Sequence, residues 1–238
     1  MKILVTGHDG FIGSHVSEHL TSLGYTVEGL SFPDDISDFK GGDYGLVVHL
    51  AAFANIRGSL DNPDVFWENN VEKAKPLFEW CRQTNTRILY ASSSSVHEWW
   101  INPYAITKKV NEIQAPPNSV GMRFFNVWAE KDSRSDMLYR MLQEKTATYL
   151  TRHRRDWIHV HDVARAICFL MPDKFRGVLD VGTGENVSVL ELGEKMGMGH
   201  LPIKEDTPGE RDETRADTKE LTKLGWHHTI NILDFASP

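Results

Sequence analysis

Short apolar runs alternate with longer stretches of helical periodicity through the first half of the chain. Each run is short enough for a strand buried on both faces of a parallel sheet. The runs cover residues 2–6, 25–30, 45–50, 87–91 and 119–124. Apolar residues recur at helical spacing over residues 14–23, 64–83 and 103–114, and Pro76 is expected to kink or split the second helix. The alternation predicts βαβ units with right-handed crossovers, and so an α/β fold with a Rossmann doubly wound parallel sheet.

The regular alternation weakens after residue 126. The second half is expected to contain helices at 134–145, 161–171, 188–197 and 217–224, a strand at 177–181 and a loop at 198–216. We predict that residues 1–126 form a Rossmann domain, to which residues 156–181 return. Residues 127–155 and 182–238 are expected to form a smaller C-terminal α/β lobe that binds substrate.

Composition narrows the class of protein. The chain has 238 residues, 40% of them hydrophobic, which is enough for one core or for one core with a small lobe. Its net charge of -7 argues against nucleic acid or an anionic membrane as a partner. Two cysteines make neither a disulfide framework nor a zinc pattern, so no metal is predicted. Without a signal peptide or a long apolar span, the chain is expected to be cytoplasmic.

Three glycines stand between the first predicted strand and the first predicted helix. Gly7, Gly10 and Gly13 have the spacing G-x-x-G-x-x-G. The first allows a tight turn, the second lets the backbone approach a phosphate, and the third lets helix and strand pack closely. The helix N-terminus then offers free N–H groups to a pyrophosphate. The loop predicts that the Rossmann domain binds a dinucleotide.

The ribose end of this predicted site leaves the cofactor open between NAD and NADP. An acidic residue usually ends the second strand of a dinucleotide-binding domain. Here that strand ends at Ser31, which has no charge to repel a 2′-phosphate, and no arginine follows to attract one. Asp35 and Ile36, a few residues later, could instead reach the adenine.

A tyrosine and a lysine lie one helical turn apart in the predicted helix 103–114. They are Tyr104 and Lys108, and on a helix they share one face. A nearby ammonium and an oxidised nicotinamide stabilise a phenolate, so the tyrosine can take a proton from an alcohol. Ser93, which follows the fourth predicted strand, would hydrogen-bond the same oxygen. The three residues are therefore candidate catalytic groups.

These features together resemble the extended short-chain dehydrogenase/reductase superfamily, and within it the NAD-dependent nucleotide-sugar epimerase/dehydratase family. The resemblance runs nearly end to end. Beside the glycine loop it rests on motifs at residues 35–38, 49–52, 70–71, 92–96, 103–108, 123–127, 155–164, 181–184, 208–210, 216–217 and 224–226.

The resemblance implies roles for particular residues. Tyr104 and Lys108 would be the catalytic pair, with Ser93 as the catalytic hydroxyl. The cofactor would contact both members of that pair and a further set: Gly7, Gly10, Phe11, Ile12, Gly13, Ser31, Asp35, Ile36, Leu50, Ala51, Ala52 and Asn70. Substrate would contact Asn126, Arg155 and Arg211, with Arg155 on a diphosphate. Arg57 either helps to hold substrate or is a surface arginine.

The chain also departs from the family pattern. The stretch 38–43 is unusually short, and only eleven positions separate Ser93 from Tyr104. His97 stands where a tyrosine is usual, and residues 151–154 replace a glycine-rich turn. These departures affect the substrate more than the cofactor.

The resemblance implies an NAD(P)-dependent enzyme that acts on a nucleotide sugar. Our hypothesis is epimerisation at C4 by transient oxidation and re-reduction. Ser94 and Ser95 stand where a dehydratase carries an acidic pair, which argues against dehydration, and His97 is an extra acid or base only by proximity. A 4-keto reductase or a dehydratase remains an alternative, and so does a non-catalytic dinucleotide-binding or redox-sensing protein. A homodimer is expected through helices 103–114 and 64–83.

Overall fold

The computed structural model describes residues 1–31, 34–131, 137–205 and 207–237, and its centre is a six-stranded parallel sheet. The strands of this sheet are β1 (Lys2–Thr6), β2 (Thr26–Leu30), β3 (Leu46–His49), β4 (Arg87–Ser93), β5 (Ser119–Phe124) and β9 (Gly177–Val181). Their order across the sheet is β2-β1-β3-β4-β5-β9, and all five pairings are parallel. The predicted α/β class and the Rossmann sheet are confirmed.

Helices cover both faces of the sheet. The α-helices in the described ranges are α1 (Phe11–Ser22), α2 (Ile56–Asp61), α3 (Pro63–Trp67), α4 (Lys75–Thr84), α5 (Pro103–Gln114), α6 (Leu138–Gln143), α7 (Val160–Leu170), α8 (Val189–Lys195) and α9 (Lys219–Leu224). On β1, Ile3 and Val5 point into the core formed with α1 and α7, whereas Leu4 points into the core formed with α4. Both cores exclude water, which is why the inner strands β1 and β3 are mostly apolar, whereas the edge strand β2 is largely exposed and contains Glu28.

A third core lies outside the sheet. Here β6 (Asn126–Trp128) pairs in parallel with β8 (Trp157–His159), and β7 (Arg154–Arg155) pairs antiparallel with β10 (Val187–Ser188). Its buried side chains include Trp128, Tyr139, Leu142, Trp157 and Leu192. These elements belong to the stretches assigned above to the substrate lobe and to the returning segment, and the division of the chain into domains stays a prediction.

Asp156 ties the third core to the loops around it. Its buried carboxylate accepts hydrogen bonds from the backbone of Thr183, Gly184 and Ala216 at 2.8–3.0 Å and from the Thr183 hydroxyl at 2.9 Å. Burial raises the pKa of Asp156, and these hydrogen bonds oppose that rise. One side chain thus joins three separate stretches of chain.

Most predicted elements are present with small shifts at their ends. Pro76 splits the predicted helix 64–83 into α3, a π-helical turn over Glu68–Glu72, and α4, where Pro76 stands in the first turn. A proline is tolerated there because the first N–H groups of a helix have no intrahelical acceptor. The predicted helix 134–145 begins among residues outside the described part, and its described portion is α6. The pairing of β6 with β8 was not predicted.

The short stretch after β2 leaves that strand at the edge of the sheet. Residues 31–45, fifteen in all, connect β2 to β3, and the described part of this connection contains the 3-10 turn Ile36–Asp38. A further strand beside β2 would need two parallel crossovers, each of a dozen or more residues, and the fifteen residues 31–45 are too few for both. Within the described ranges, no strand pairs with the outer side of β2.

No helix in the described ranges has both the length and the apolar character needed to cross a membrane.

Candidate active site

The glycine loop is closed by contacts that leave no room for side chains. Gly7 has a φ of 70°, and its N–H donates to the carbonyl of Leu30 at 2.8 Å. A Cβ on Gly7 would lie 2.8 Å from the Ala51 nitrogen, and one on Gly13 would lie 1.8 Å from the Gly7 oxygen. Gly10 precedes α1 and carries no side chain to cap its first turn. The exposed N–H groups of that turn therefore fit a pyrophosphate.

The loop opens into a cavity of about 410 Å³ that also contains the predicted catalytic residues. It is lined by the following predicted residues: Gly7, Gly10, Phe11, Ile12, Gly13, Leu50, Ala51, Ala52, Ser93, Tyr104, Lys108 and Asn126. The cavity lies where β1, β3, β4 and β5 end, which is the edge of a parallel sheet at which ligands bind. The structure thus brings the loop and the three candidate catalytic groups to one place.

Local contacts fix the catalytic candidates. The Asn102 side chain caps α5 by accepting a hydrogen bond from the Ala105 N–H at 2.7 Å, so Tyr104 lies in the first helical turn. The Lys108 Nζ donates to the carbonyl of Ala91 at 2.9 Å and lies 5.9 Å from the centre of the Tyr104 ring. The Ser93 Oγ accepts from the Ser95 N–H at 3.2 Å. All three side chains are buried.

Burial sets the charge state of two groups beside this cavity. Desolvation lowers the pKa of Lys108 to about 8. His49, whose Nδ1 lies 2.7 Å from the Thr6 Oγ1, is also buried. Desolvation and then the positive charge of Lys108 lower the pKa of His49 to about 3, so His49 stays neutral. Lys108 can therefore supply the local positive charge without competition from a histidine cation.

We expect Lys108 to make the stability of the fold depend on pH. Its pKa falls from 10.5 to about 8 on folding. Between these values the unfolded chain holds the proton and the folded chain does not, so this group raises stability as pH increases. A Lys108→Met variant lacks this group, so its unfolding free energy should not show the corresponding rise with pH. The difference in unfolding free energy, variant minus wild type, should therefore fall by about 3 kcal/mol between pH 7 and pH 10.5. Urea titrations of both proteins measure this difference, and a difference that is constant with pH would contradict the prediction.

The residues predicted to contact the adenosine end of the cofactor, Ser31, Asp35 and Ile36, do not line the cavity at the glycine loop. The Ser31 Oγ lies 2.8 Å from the Nδ1 of His8. The Asp35 carboxylate forms an ion pair with Lys73 at 2.6 Å, and Ile36 packs against the core around α4. Lys73 and the Ser37 amide lower the pKa of Asp35 to about 2. Asp35 and Ile36 therefore hold the chain after β2, and their contact with adenine stays a prediction.

Asn70 supports the first cavity indirectly, through the backbone of Phe53. It is buried, its Oδ1 accepts from the Phe53 N–H at 2.8 Å, and its Nδ2 donates to the Phe53 carbonyl at 2.9 Å. These bonds fix the loop that follows Ala52. The structure thus gives Asn70 a supporting place, and the cofactor contact predicted for it stays untested.

A second cavity of about 330 Å³ adjoins the first, and both are lined by Ala54, Ile56 and Asn126. Arg155 and Arg57 line the second cavity, as does Glu210. The Glu210 carboxylate accepts from the Arg57 Nη2 at 2.8 Å and from the Arg155 Nη2 at 3.3 Å. Two guanidinium groups therefore meet at one carboxylate, a charge distribution that suits an anionic ligand.

Glu210 and Tyr149 line the second cavity, and the sequence analysis predicted neither as a site residue. The Tyr149 hydroxyl accepts from the Arg57 Nη1 at 2.6 Å, and both residues line the second cavity. Glu210 belongs to the motif at 208–210, so a signal for it was present in the sequence. Tyr149 carries no comparable signal, because only folding brings it next to Arg57.

Two other candidates lie apart from both cavities. Arg211 donates from Nε to Glu98 at 2.9 Å and from Nη1 to the carbonyl of Ser94 at 3.3 Å. It thereby fastens the segment after β4, and it lines neither cavity. His97 is bonded to Asp180, with both carboxylate oxygens 3.0 Å from its Nε2. No group of three or more potential metal ligands occurs in the part of the chain that the structure describes.

Sequence comparison identifies the class. The NAD dependent epimerase/dehydratase family matches residues 3–182, and the chain belongs to this family. It is therefore an NAD-dependent enzyme of the extended short-chain dehydrogenase/reductase type, as predicted. The glycine cradle described above fits the dinucleotide that the family requires.

Particular relatives carry more specific descriptions. A putative UDP-glucose 4-epimerase of Methanocaldococcus jannaschii is 27% identical, with 97% of this chain and 94% of the relative covered. UDP-glucuronate 4-epimerase 1 of Arabidopsis thaliana is 29% identical, with 69% of this chain and 53% of the relative covered. The solved structure of MoeE5 in complex with UDP-glucuronic acid and NAD has a TM-score of 0.87 at 25% identity, covering 100% of this chain and 97% of MoeE5.

Proposed function

We propose that this protein is an NAD-dependent nucleotide-sugar 4-epimerase. The observation that carries the proposal is the pair of adjoining cavities, one with the glycine loop and Tyr104, the other with Arg57 and Arg155. A sugar diphosphate that spans both would place its sugar at Tyr104 and its diphosphate at the arginines. The names of the relatives support this choice, because UDP-glucose and UDP-glucuronate 4-epimerases are among them.

The residues of the chain divide the chemistry between them. Tyr104 takes the proton from the sugar C4 hydroxyl and later returns it, and Ser93 hydrogen-bonds the same oxygen. Lys108 stabilises the phenolate through its positive charge. When bound, the nicotinamide cofactor would supply reversible hydride transfer at C4, and the glycine loop and Lys108 would hold it. Asn126 lines both cavities, which supports a contact between its side chain and the substrate where the sugar joins the diphosphate.

Turnover of UDP-sugars tests this proposal. We expect purified protein with NAD to convert UDP-glucose or UDP-glucuronate into its C4 epimer, measured by NMR, with no net accumulation of NADH. Accumulating NADH would instead indicate a dehydrogenase, and a keto sugar formed with loss of water would indicate a dehydratase. Binding of NAD without any turnover of either sugar would support a non-catalytic role.

A substitution at Arg155 tests substrate binding separately from the chemical step. Hydrogen bonds to charged groups contribute about 1.5–3 kcal/mol. An Arg155→Met variant should therefore raise KM for the UDP-sugar about 10- to 150-fold, with a smaller change in kcat. NAD binding, measured by calorimetry, should stay unchanged. An unaltered KM would remove Arg155 from the diphosphate site.

We further propose that the protein forms a homodimer through the α3–α4 and α5 surface. Val65 and Trp67 on α3 and Ile113 on α5 are exposed apolar side chains there. Apolar side chains clustered on a surface favour association. Light scattering of the wild type should give twice the mass of one chain. The Ile113→Glu variant should have the mass of a single chain.

A further inference from the structure

The end of β2 beside the glycine loop carries an imidazole and a hydroxyl where a carboxylate is usual. The His8 Nδ1 and the Ser31 Oγ lie 2.8 Å apart. Ser31 directly follows Leu30, whose carbonyl accepts from the Gly7 N–H at 2.8 Å. In dinucleotide-binding domains, the residue at the end of the second strand contacts the 2′-hydroxyl of the adenosine ribose. The His8–Ser31 pair therefore stands at the 2′ position of the cofactor.

Gly29 allows the imidazole to lie at this place. A Cβ on Gly29 would be 2.2 Å from the Cγ of the His8 ring, so an alanine would displace the ring. Glycine inside a strand weakens the strand, and one reason for its presence is the close approach of another group. Here that group is His8, which reaches β2 from the glycine loop.

A neutral His8–Ser31 pair has one polar hydrogen to spare. The imidazole and the hydroxyl each carry one hydrogen, and their mutual bond uses only one of them. This holds for either tautomer of the ring. The remaining donor suits an oxygen acceptor, whether a ribose hydroxyl or a phosphate. A carboxylate at position 31 would only accept hydrogen bonds, and its charge would repel a phosphate.

Two carboxylates, those of Asp34 and Asp35, follow shortly after the end of β2, where Ser31 stands in place of the usual acid. Asp35 is paired with Lys73 at 2.6 Å and also accepts from the Ser37 N–H at 2.9 Å. Asp34 is exposed, and its backbone N–H closes a turn on the carbonyl of Ser31 at 3.0 Å. Asp34 is therefore the carboxylate that an experiment has to exclude.

We propose that the His8–Ser31 pair lets this protein bind NADP(H) as well as NAD(H), and that His8 determines affinity for the 2′-phosphate. The proposal rests on the proposed function only in requiring that a dinucleotide binds at the glycine loop. It concerns the ribose end alone, so it holds whichever sugar is the substrate.

Calorimetric titration of the whole protein with NADH and with NADPH tests the proposal. For wild type we expect the two dissociation constants to agree within about tenfold, a difference of about 1.4 kcal/mol. His8→Ala should weaken NADPH about 10- to 100-fold, because it removes a hydrogen bond to a charged group, and should change NADH less. Ser31→Asp should weaken NADPH at least about tenfold and leave NADH bound.

Two further variants make the result specific. Gly29→Ala displaces the ring without removing it, so it should reproduce the loss of NADPH affinity seen with His8→Ala. Asp34→Asn should leave NADH binding unchanged, and a marked loss would show that Asp34 supplies the ribose carboxylate and would overturn the proposal. NADPH binding more than about tenfold weaker than NADH in wild type would also overturn it. Failure of both dinucleotides to bind would instead overturn the proposed function.

Discussion

A Tyr104→Phe variant is expected to lose about 10²- to 10⁴-fold in kcat for C4 epimerisation. The substitution removes the hydroxyl that takes the proton from the sugar and keeps the buried ring beside Lys108. Because the ring fills the same space, folding and cofactor binding should be preserved. Steady-state kinetics with a UDP-sugar and calorimetry with NAD measure the two effects separately.

Tyr149→Phe is the matched control for this loss. It removes a hydroxyl that contacts Arg57 in the second cavity, at 2.6 Å, and lies outside the first cavity. It should raise KM and leave kcat close to wild type. If Tyr104→Phe kept wild-type kcat, or if both variants lost kcat alike, Tyr104 would not be the proton acceptor.

A Gly13→Ala variant is expected to abolish useful cofactor binding. Its Cβ would lie 1.8 Å from the backbone oxygen of Gly7, and a backbone atom cannot turn away as a side chain can. The loop must move, which costs about 1–3 kcal/mol of stability and misplaces the N–H groups that face the pyrophosphate. We expect the dissociation constant for NAD to rise at least about 100-fold. Calorimetry measures the affinity, and chemical denaturation measures the stability.

Ser14→Ala tests the neighbouring position of the same helix. Ser14 is exposed, and its hydroxyl donates to the Phe11 carbonyl, at 3.1 Å, within the first turn. This variant should bind NAD as wild type does. A Gly13→Ala protein that still bound NAD with wild-type affinity would show that the loop adapts and does not hold the pyrophosphate as proposed.

The cofactor half of the site could be predicted from sequence because its determinants are local. Gly7, Gly10 and Gly13 lie within one strand–turn–helix unit, and Tyr104 and Lys108 lie one turn apart on one helix. Parallel strands then bring both groups to the same edge of the sheet. The structure places them around one cavity for that reason.

The substrate half was harder to predict because its contacts join distant parts of the chain. Arg57 reaches Tyr149 and Glu210, and Arg211 turns towards Glu98 and Ser94. Periodicity and spacing carry no information about such pairings. The same holds for His8, which meets Ser31 only because Gly29 leaves room for the ring.

The short connection after β2 also affects the tendency of the protein to associate with other polypeptides, because it leaves β2 at the edge of the sheet. An edge strand offers unpaired N–H and C=O groups to any extended chain and can thereby start aggregation. In this protein the edge is only five residues long, and Glu28 within it is ion-paired with Lys2 at 2.6 Å. A charged side chain on a short edge discourages a foreign strand from adding to the sheet. Because no strand in the described ranges covers the outer side of β2, protection against self-association at this edge depends largely on β2 itself, the strand that also leads to the His8–Ser31 pair.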